Sequence, residues 1–373
     1  MSKYILIPDS FKGSLSSGEI CGILGREIRT LEPEAEICSI PVADGGEGTV
    51  DAFLAALGGK KIPVSCRDPY GRAITACYGL LPDGVTAVVE MAAAAGLPLV
   101  GDDRRVADAT TYGVGQLMAH ALERGAKRIV LGLGGSATND GGCGAAAALG
   151  AEFLDEEGRP FVPTGGTLTQ IAHIRMKGLR ETLAGAEVTV MCDIDNPLCG
   201  PAGAAAVFGP QKGADAAMVA RMDAGLRHLA EMLEKDVGME VLTLAGGGSA
   251  GGFGAGAAAF FGGQLRMGID VVLDGHSHST IAGDIVKNKE GKDVILTSTG
   301  TKLANIGCLT ISADGKVSST LINDDGVGET ISEIKKGYEE MVNTVVASTK
   351  VELTVNDPVS GERMVRRQET NLG

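Results

Sequence analysis

Apolar and polar positions along the first sixty residues switch between two periods. Residues 3–8 (KYILIP) form a continuous apolar run of strand length, and after a polar loop Ile20, Ile23, Leu24, Ile28 and Leu31 recur at helical spacing. The pattern predicts a strand followed by an amphipathic helix with one buried stripe. Ser16, with Glu19 three residues on, is the pattern of a capping box at the start of that helix. Residues 36–42 (EICSIPV) predict a second strand, ADGGEG its loop, and TVDAFLAALGG a second helix closed by Gly58 and Gly59. Strand, helix, strand, helix is the repeat of a parallel sheet.

From about Lys61 the texture changes. Apolar runs are joined by PYGR and PDG turns, which suits antiparallel pairing, so a different domain is expected to begin there. TTYGVGQLMAHALERG predicts a helix with Val114, Leu117, Met118, Ala121 and Leu122 inward, AKRIVLGLGG a buried strand, and GGCGAAAALGA a helix that starts in glycines. EVTVMCDIDNPL reads as another strand and loop, DAAMVARMDAGLRHLAEMLEKDVG as a long helix with a polar face, and LTLAGGGSAGGFGAGAAAFFGG as a glycine-rich turn into a helix. Beyond Gly275, VILTSTG, KLANIGCLTISADGKVSSTLIN and VELTVNDPVSGERMVRR predict antiparallel hairpins, with Asp314-Gly315 as a turn and one helix near Ile334.

Composition narrows the function classes. A formal charge of -14 on 373 residues argues against a nucleic acid or an anionic membrane as partner and for a small-molecule substrate. No run reaches the roughly 18 to 20 apolar residues of a membrane span, and the start has no long apolar export segment, so a cytoplasmic protein is expected. Eight cysteines without a CxxC pair fit a reducing compartment. The outlier is 56 glycines against no tryptophan, clustered where apolar runs end. Backbone-lined anion sites are built in that way.

Three such loops carry candidate chemistry. In LGLGGSATNDGG, Gly134, Gly135, Ser136 and Thr138 stand between a strand and a helix, where main-chain amides can cradle an anion; the alternative is a tight turn with Asn139 or Asp140 as helix cap. It is not a Walker A loop, because no GK[ST] follows. DSFKGS places Lys12 at a strand's C-terminal end as a phosphate clamp or a solvated lysine, and GGGSAGGFGAG supplies Gly247 and Gly248. DGGEG puts Asp44 and Glu47 where they could hold Mg²⁺ or form a turn. In CDIDNPL, Asp193 or Asp195 could orient or deprotonate an alcohol, and Lys212 in FGPQKGA is a second cation or a surface charge. Amide cradles, cations, carboxylates for Mg²⁺ and a positioned nucleophile together fit phosphoryl transfer.

IPDSFKGSLSS, PVADGGEGTVDAF, GLGGSATNDGGCG, CDIDNPL, AVFGPQKGA and GGGSAGGFGAG, in this order, resemble the bacterial glycerate kinase family, type I, from residue 1 to about 273. The resemblance implies phosphorylation of D-glycerate by ATP with Mg²⁺, at the 2-hydroxyl. It also implies an α/β fold, a flavodoxin-like parallel sheet interrupted by a larger restriction-endonuclease-like α/β domain. Here residues 1–62 would be the first half of the flavodoxin-like sheet, left incomplete, 63–273 the inserted domain and 274–373 a mostly antiparallel β segment. Asp9, Ser10, Lys12, Asp44, Glu47, Ser136, Thr138, Asp140, Asp193 and Lys212 are the positions that the resemblance places around glycerate and ATP, with Lys12, Asp44 and Asp193 as the catalytic candidates.

Past that point DVVLDGHSHST, ILTSTGTKLANIGCLTI, GKVSSTLIN and RRQETNLG instead resemble the 5'-nucleotidase family of metallophosphatases. His276 and His278, two apart, would be two ligands of a two-metal centre whose other ligands do not appear in this chain. A glycerate kinase weakened by a replaced tail is the expectation; the alternatives are a metallophosphatase-type hydrolase and an inactive nucleotide-binding chimera.

Overall fold

In the computed structural model the described residues are 3–8, 10, 15–43, 45–192 and 194–266, and beyond them the segments 271–274, 280–287, 293–299, 305–311, 317–323, 354–356 and 363–365. The chain begins as its periodicity predicts, with β1 (Lys3–Leu6), α1 (Ser17–Leu31), β2 (Glu36–Ser39) and α2 (Thr49–Leu57). β1 and β2 pair in parallel, Tyr4 opposite Ile37. The capping box forms: the Glu19 amide donates to Ser16 Oγ at 3.2 Å and the Ser16 amide donates to the Glu19 carboxylate at 2.8 Å. The buried stripe of α1 is narrower than its sequence predicts. Ile20, Cys21 and Gly25 are buried, but Leu24 is 41% and Leu31 84% exposed. A 15-residue helix is about 22 Å long, and among the described residues the sheet beneath it has two strands, too few to cover it.

The antiparallel texture after Lys61 is β3 (Lys60–Arg67), β4 (Ala73–Leu80) and β5 (Thr86–Glu90). The turn between β3 and β4 closes where the Asp68 amide donates to the Arg72 carbonyl at 2.9 Å and Gly71 takes φ +78°. There follow α3 (Met91–Ala95), α4 (Leu97–Val100), α5 (Tyr112–Glu123), β6 (Arg128–Gly132) and α6 (Cys143–Ala148). On α5, Val114, Leu117, Met118 and Ala121 are buried as the spacing requires, and Leu122 is half-buried. A small antiparallel sheet of β7 (Glu152–Leu154), β8 (Pro160–Phe161) and β9 (His173–Arg175) precedes α7 (Lys177–Thr182) and β10 (Glu187–Met191). α8 (Ala204–Phe208), α9 (Ala216–Met232), α10 (Ser249–Phe261) and β11 (Gln264–Arg266) complete this part of the chain.

The main sheet runs β11-β10-β6-β5-β4-β3. Its first four strands are mutually parallel and β4 and β3 turn antiparallel. β5 is buried at all five positions, as a strand covered on both faces must be. Val89, Ile129, Leu131, Leu117, Met118, Phe253 and Phe260 lie in one continuous core. α2 packs on β3, β4 and β5; Gly79 on β4 leaves room for it, since a Cβ there would stand 3.1 Å from Val50 Cγ1.

The chain divides into two compact units, residues 1–267 and 268–373. In the second, β12 (Val271–Asp274), β13 (Thr280–Lys287) and β14 (Asp293–Thr299) form a sheet in which β12 is parallel and β13 antiparallel to β14. β15 (Asn305–Ile311) pairs antiparallel with β16 (Val317–Asn323), and β17 (Thr354–Asn356) with β18 (Arg363–Val365). The Asp314-Gly315 turn and the helix near Ile334 lie outside the described residues. The fold is therefore mixed α/β with several sheets.

Candidate active site

Parallel strands β5, β6 and β10 end at Glu90, Gly132 and Met191, and the glycine-rich loops gather at those ends. This is where parallel sheets bind ligands. The Gly134 amide donates to the Gly45 carbonyl at 3.0 Å. A Cβ on Gly132 would lie 2.4 Å from that carbonyl oxygen, and one on Gly134 2.6 Å from Gly46 Cα. Backbone touches backbone, so the loop after β2 is seated on the end of β6 and only glycine fits between them. On its other side, the loop of residues 133–142 meets the turn into α10: the Gly141 amide donates to the Gly251 carbonyl at 3.1 Å, and a Cβ on Gly251 would fall 2.1 Å from the Thr138 oxygen. The Gly248 amide donates to the Asn196 carbonyl at 3.0 Å, which brings in the loop after β10. At this junction Ala250 has φ +52°, the one left-handed non-glycine among the described residues, followed by left-handed Gly251 and Gly252. Such a conformation persists where surrounding contacts enforce it.

Inside this junction Lys212 is only 3% exposed, so it is not a surface charge. Its Nζ donates to the Thr138 carbonyl at 2.7 Å and to Ser136 Oγ at 3.4 Å. Burial lowers its pKa to about 7, against the pull of the Asp140 carboxylate. Asp140 is fully buried and accepts from the Thr111 amide (2.7 Å) and hydroxyl (2.8 Å), the Thr110 hydroxyl (3.2 Å), and the Gly142 and Gly144 amides (3.1 Å each). The amides at the start of α6, where an external anion was expected, thus bind the chain's own carboxylate. Burial raises the Asp140 pKa while these donors hold it down. Beside it Asn139 is fully buried, and neither polar atom of its side chain has a partner among the described residues.

A cleft of about 910 Å³ adjoins this junction, lined by Ser10, Ser17, Glu47, Asp51, Lys61 and Glu90 among others. It is bounded by the N-termini of α1 and α2 and by the end of β5. Ser17 Oγ donates to the Pro8 carbonyl at 2.6 Å and accepts from the Val42 amide at 3.0 Å, so the first residue of α1 ties together the segments leaving β1 and β2. Lys61 pairs with Asp51 at 2.7 Å on the rim. Glu90, 8% exposed, accepts a hydrogen bond from the Val50 amide. Burial pushes its carboxyl above the usual carboxylate range, the Val50 amide opposes, Asp51 adds to the rise and Lys61 opposes it. Cleft and junction meet where the Leu97 amide donates to the Gly135 carbonyl at 2.9 Å, next to the cleft-lining Ala92 and Pro98.

Of the residues that the sequence singles out, Ser10 and Glu47 lie on the cleft, while Ser136, Thr138, Asp140, Lys212, Gly247 and Gly248 lie in or against the buried junction. Gly134 and Gly135 stand between the two groups. Asp195 is exposed on the loop after β10. Asp9, Lys12, Asp44, Asp193, His276 and His278 lie outside the described residues. The other histidines have structural partners: His120 Nδ1 is 3.3 Å from the Tyr78 hydroxyl, His173 3.7 Å from Asp236, and His228 Nε2 2.7 Å from the Ile171 carbonyl. Among the described residues no three His, Cys, Asp or Glu side chains gather as metal ligands, and Glu47 is exposed on the cleft with oxygen donors of the type Mg²⁺ takes. No helix among the described residues is long and apolar enough to cross a membrane. Sequence reasoning missed Glu90 and Ser17, and weighed Asn139 only as a helix cap. Glu90 had a legible signal, a single carboxylate closing the otherwise apolar stretch TAVVEMAAAA.

The profile of the glycerate kinase family matches residues 4–323. The chain is 44% identical over 293 residues to the glycerate kinase of Bacillus subtilis (strain 168), covering 78% of this chain and 77% of that one. It is 43% identical over 282 residues to the glycerate 2-kinase of Escherichia coli (strain K12), covering 74% of each. A crystal structure assigned as glycerate kinase 2 from Salmonella typhimurium LT2 superposes with a TM-score of 0.65 at 42% identity, over 74% of this chain and 78% of that one. The family match runs past residue 273, where the motifs alone put the end of the resemblance. It lends no support to the expected loss of activity or to the hydrolase alternative.

Proposed function

The chain belongs to the glycerate kinase family, and from that premise we propose that it transfers the γ-phosphoryl group of ATP to the 2-hydroxyl of D-glycerate, giving 2-phosphoglycerate and ADP. The name glycerate 2-kinase on the E. coli relative supports the position of transfer. The observation that carries the reading is the meeting of three glycine-rich loops at the carboxyl ends of β5, β6 and β10, beside the cleft of about 910 Å³. Phosphoryl transfer asks mainly for positioning and charge stabilisation, which fixed backbone amides and buried cations supply.

In this scheme the glycerate 2-oxygen attacks the γ-phosphorus, the bond from that phosphorus to the β,γ-bridging oxygen breaks, and the hydroxyl proton passes to Asp193. Lys12 clamps phosphate oxygens. Lys212, engaged with Thr138 and Ser136, keeps the loop of residues 133–142 in shape. Asp44 and Glu47 would hold Mg²⁺, which neutralises phosphate charge when bound. We further assign residues 1–62 and 63–273 to the two domains implied by the resemblance, and the segment from 274 to a 5'-nucleotidase-like sequence.

The test incubates the purified 373-residue chain with D-glycerate, ATP and Mg²⁺ and follows ADP. The product is then offered to enolase alone, which forms phosphoenolpyruvate from 2-phosphoglycerate without a mutase. A product that needs a mutase first would move the transfer to the 3-hydroxyl. Metal-dependent phosphate release from nucleotide without glycerate would favour the hydrolase reading raised by His276 and His278.

A further inference from the structure

The first turn of α2 has no cap of its own. Its N-cap, Gly48, sits at φ +92° and offers no side chain; the Thr49 amide reaches the Gly46 carbonyl at 3.3 Å, but the Val50 amide needs an acceptor from elsewhere. That acceptor is Glu90, which receives the Val50 amide from the end of β5. A carboxylate only 8% exposed at the end of a strand buried throughout costs solvation energy unless it is partnered. Its charge also suits the positive end of a helix. The contrast with α1 is direct, since there Ser16 and Glu19 cap from within the helix's own sequence.

The loop before α2 is consequently held at two points. At its start the Gly45 carbonyl accepts from the Gly134 amide at 3.0 Å; past its end Val50 is held by Glu90. Between them the Thr49 hydroxyl donates to the Gly46 carbonyl at 2.8 Å. Glu47 lies in the middle of this span, on the cleft.

We propose that Glu90 is a positioning residue for the transfer reaction: its carboxylate clamps the first turn of α2 to the end of β5 and so fixes the loop of residues 45–48, with Glu47, on the wall of the cleft. The role rests on the reading of this cleft as the kinase site. The clamp is strongest with the carboxylate ionised, and acidification weakens it. The charged groups that act on Glu90 are Asp51 on α2 and Lys61 on β3, and Cys77 on β4 and Glu47 line the same cleft. Because burial raises the Glu90 pKa, the clamp loosens at a higher pH than an ordinary exposed glutamate would titrate.

The full chain and its Glu90→Gln and Glu90→Asp variants are compared for thermal unfolding, for kcat and KM, and for hydrogen exchange of the Val50 amide. Glu90→Gln keeps an oxygen that can accept from Val50 but loses the charge, so it is expected to stay folded and to lose about 5- to 10-fold in kcat, the difference between a charged and a neutral hydrogen bond. KM for glycerate should stay near the wild-type value, and exchange at Val50 should accelerate by a similar factor. Glu90→Asp, one methylene short, should not rescue it. In the wild type, protection of Val50 corrected for intrinsic exchange should fall on acidification together with kcat, and in the Gln variant it should be flat. Because protonation of Asp193 lowers kcat as well, the protection of Val50 is the deciding reading, and it serves even where a variant does not fold. Unchanged exchange at Val50 in Glu90→Gln, or wild-type kcat in that variant, overturns the proposal. Accelerated exchange in a chain that does not phosphorylate glycerate upholds the clamp and sinks the kinase reading instead.

Discussion

Lys212 shows how far burial changes what one side chain can be. An ordinary lysine titrates near 10.5, whereas here burial brings the value to about 7. Between those values the unfolded chain holds a proton that the folded chain has released, so this group makes stability rise with pH over that window and costs most below it. The unfolding free energy of wild type minus that of Lys212→Met should therefore increase from pH 7 towards pH 10, by up to about 1.4 kcal/mol per unit. Urea titrations at several pH values read the difference directly, and a flat difference would mean that Lys212 is not held as described. The proposed catalytic residues give a kinetic prediction at the same scale. Asp193→Asn should lower kcat about 10²- to 10⁴-fold, the usual worth of general-base help. Lys12→Ala should raise KM for ATP or glycerate or lower turnover, with the melting temperature unchanged. If Asp195→Asn costs as much as Asp193→Asn, the base has been assigned to the wrong carboxylate.

Among the elements, α1 and the glycine loops separate stability from activity. The capping box at Ser16 serves the helix alone, so Ser16→Ala should cost about 1 kcal/mol of stability and leave kcat/KM nearly intact. Gly134→Ala should cost activity as well as stability. Its new Cβ would stand 2.6 Å from Gly46 Cα, backbone that cannot give way as a flexible side chain can, so the loop carrying Glu47 must shift. Misplacing a positioning element by about 1 Å can cost on the order of 10²-fold in rate. Steady-state kinetics beside circular dichroism melts check both variants; a Gly134→Ala enzyme with wild-type kcat/KM would show that the contact between these loops does not matter to the reaction.

At the scale of the whole molecule the chain divides between Met267 and Gly268. Limited proteolysis followed by mass spectrometry should yield a lasting fragment that carries both the cleft and the buried junction of the first unit. Prompt cutting inside β5, β6 or β10 would contradict the single continuous core that these strands share. In the same unit the two-stranded sheet leaves Ile5 59% and Ile7 48% exposed. Because Ile5 is already exposed, Ile5→Thr should change stability by less than about 0.5 kcal/mol, which urea titration reads.

Much of this was legible in the sequence because it depends on neighbours in the chain. The spacing of Ile20, Ile23, Leu24, Ile28 and Leu31 gave α1, Ser16 and Glu19 gave its cap, and the glycine runs after apolar stretches marked the loops that meet at the strand ends. The six ordered motifs carried the family. Tertiary structure alone decided which of these polar residues face a cleft and which are sealed. Ser136, Thr138, Asp140 and Lys212 look alike in the sequence as loop polar groups, yet they are at most 5% exposed, and Asp140 fills the very cradle its glycines form. Glu90 and Val50 are forty residues apart and joined by one hydrogen bond. Periodicity and capping are local, set within a turn or two of chain, whereas burial and the pairing of distant groups are fixed only when separate strands are brought side by side.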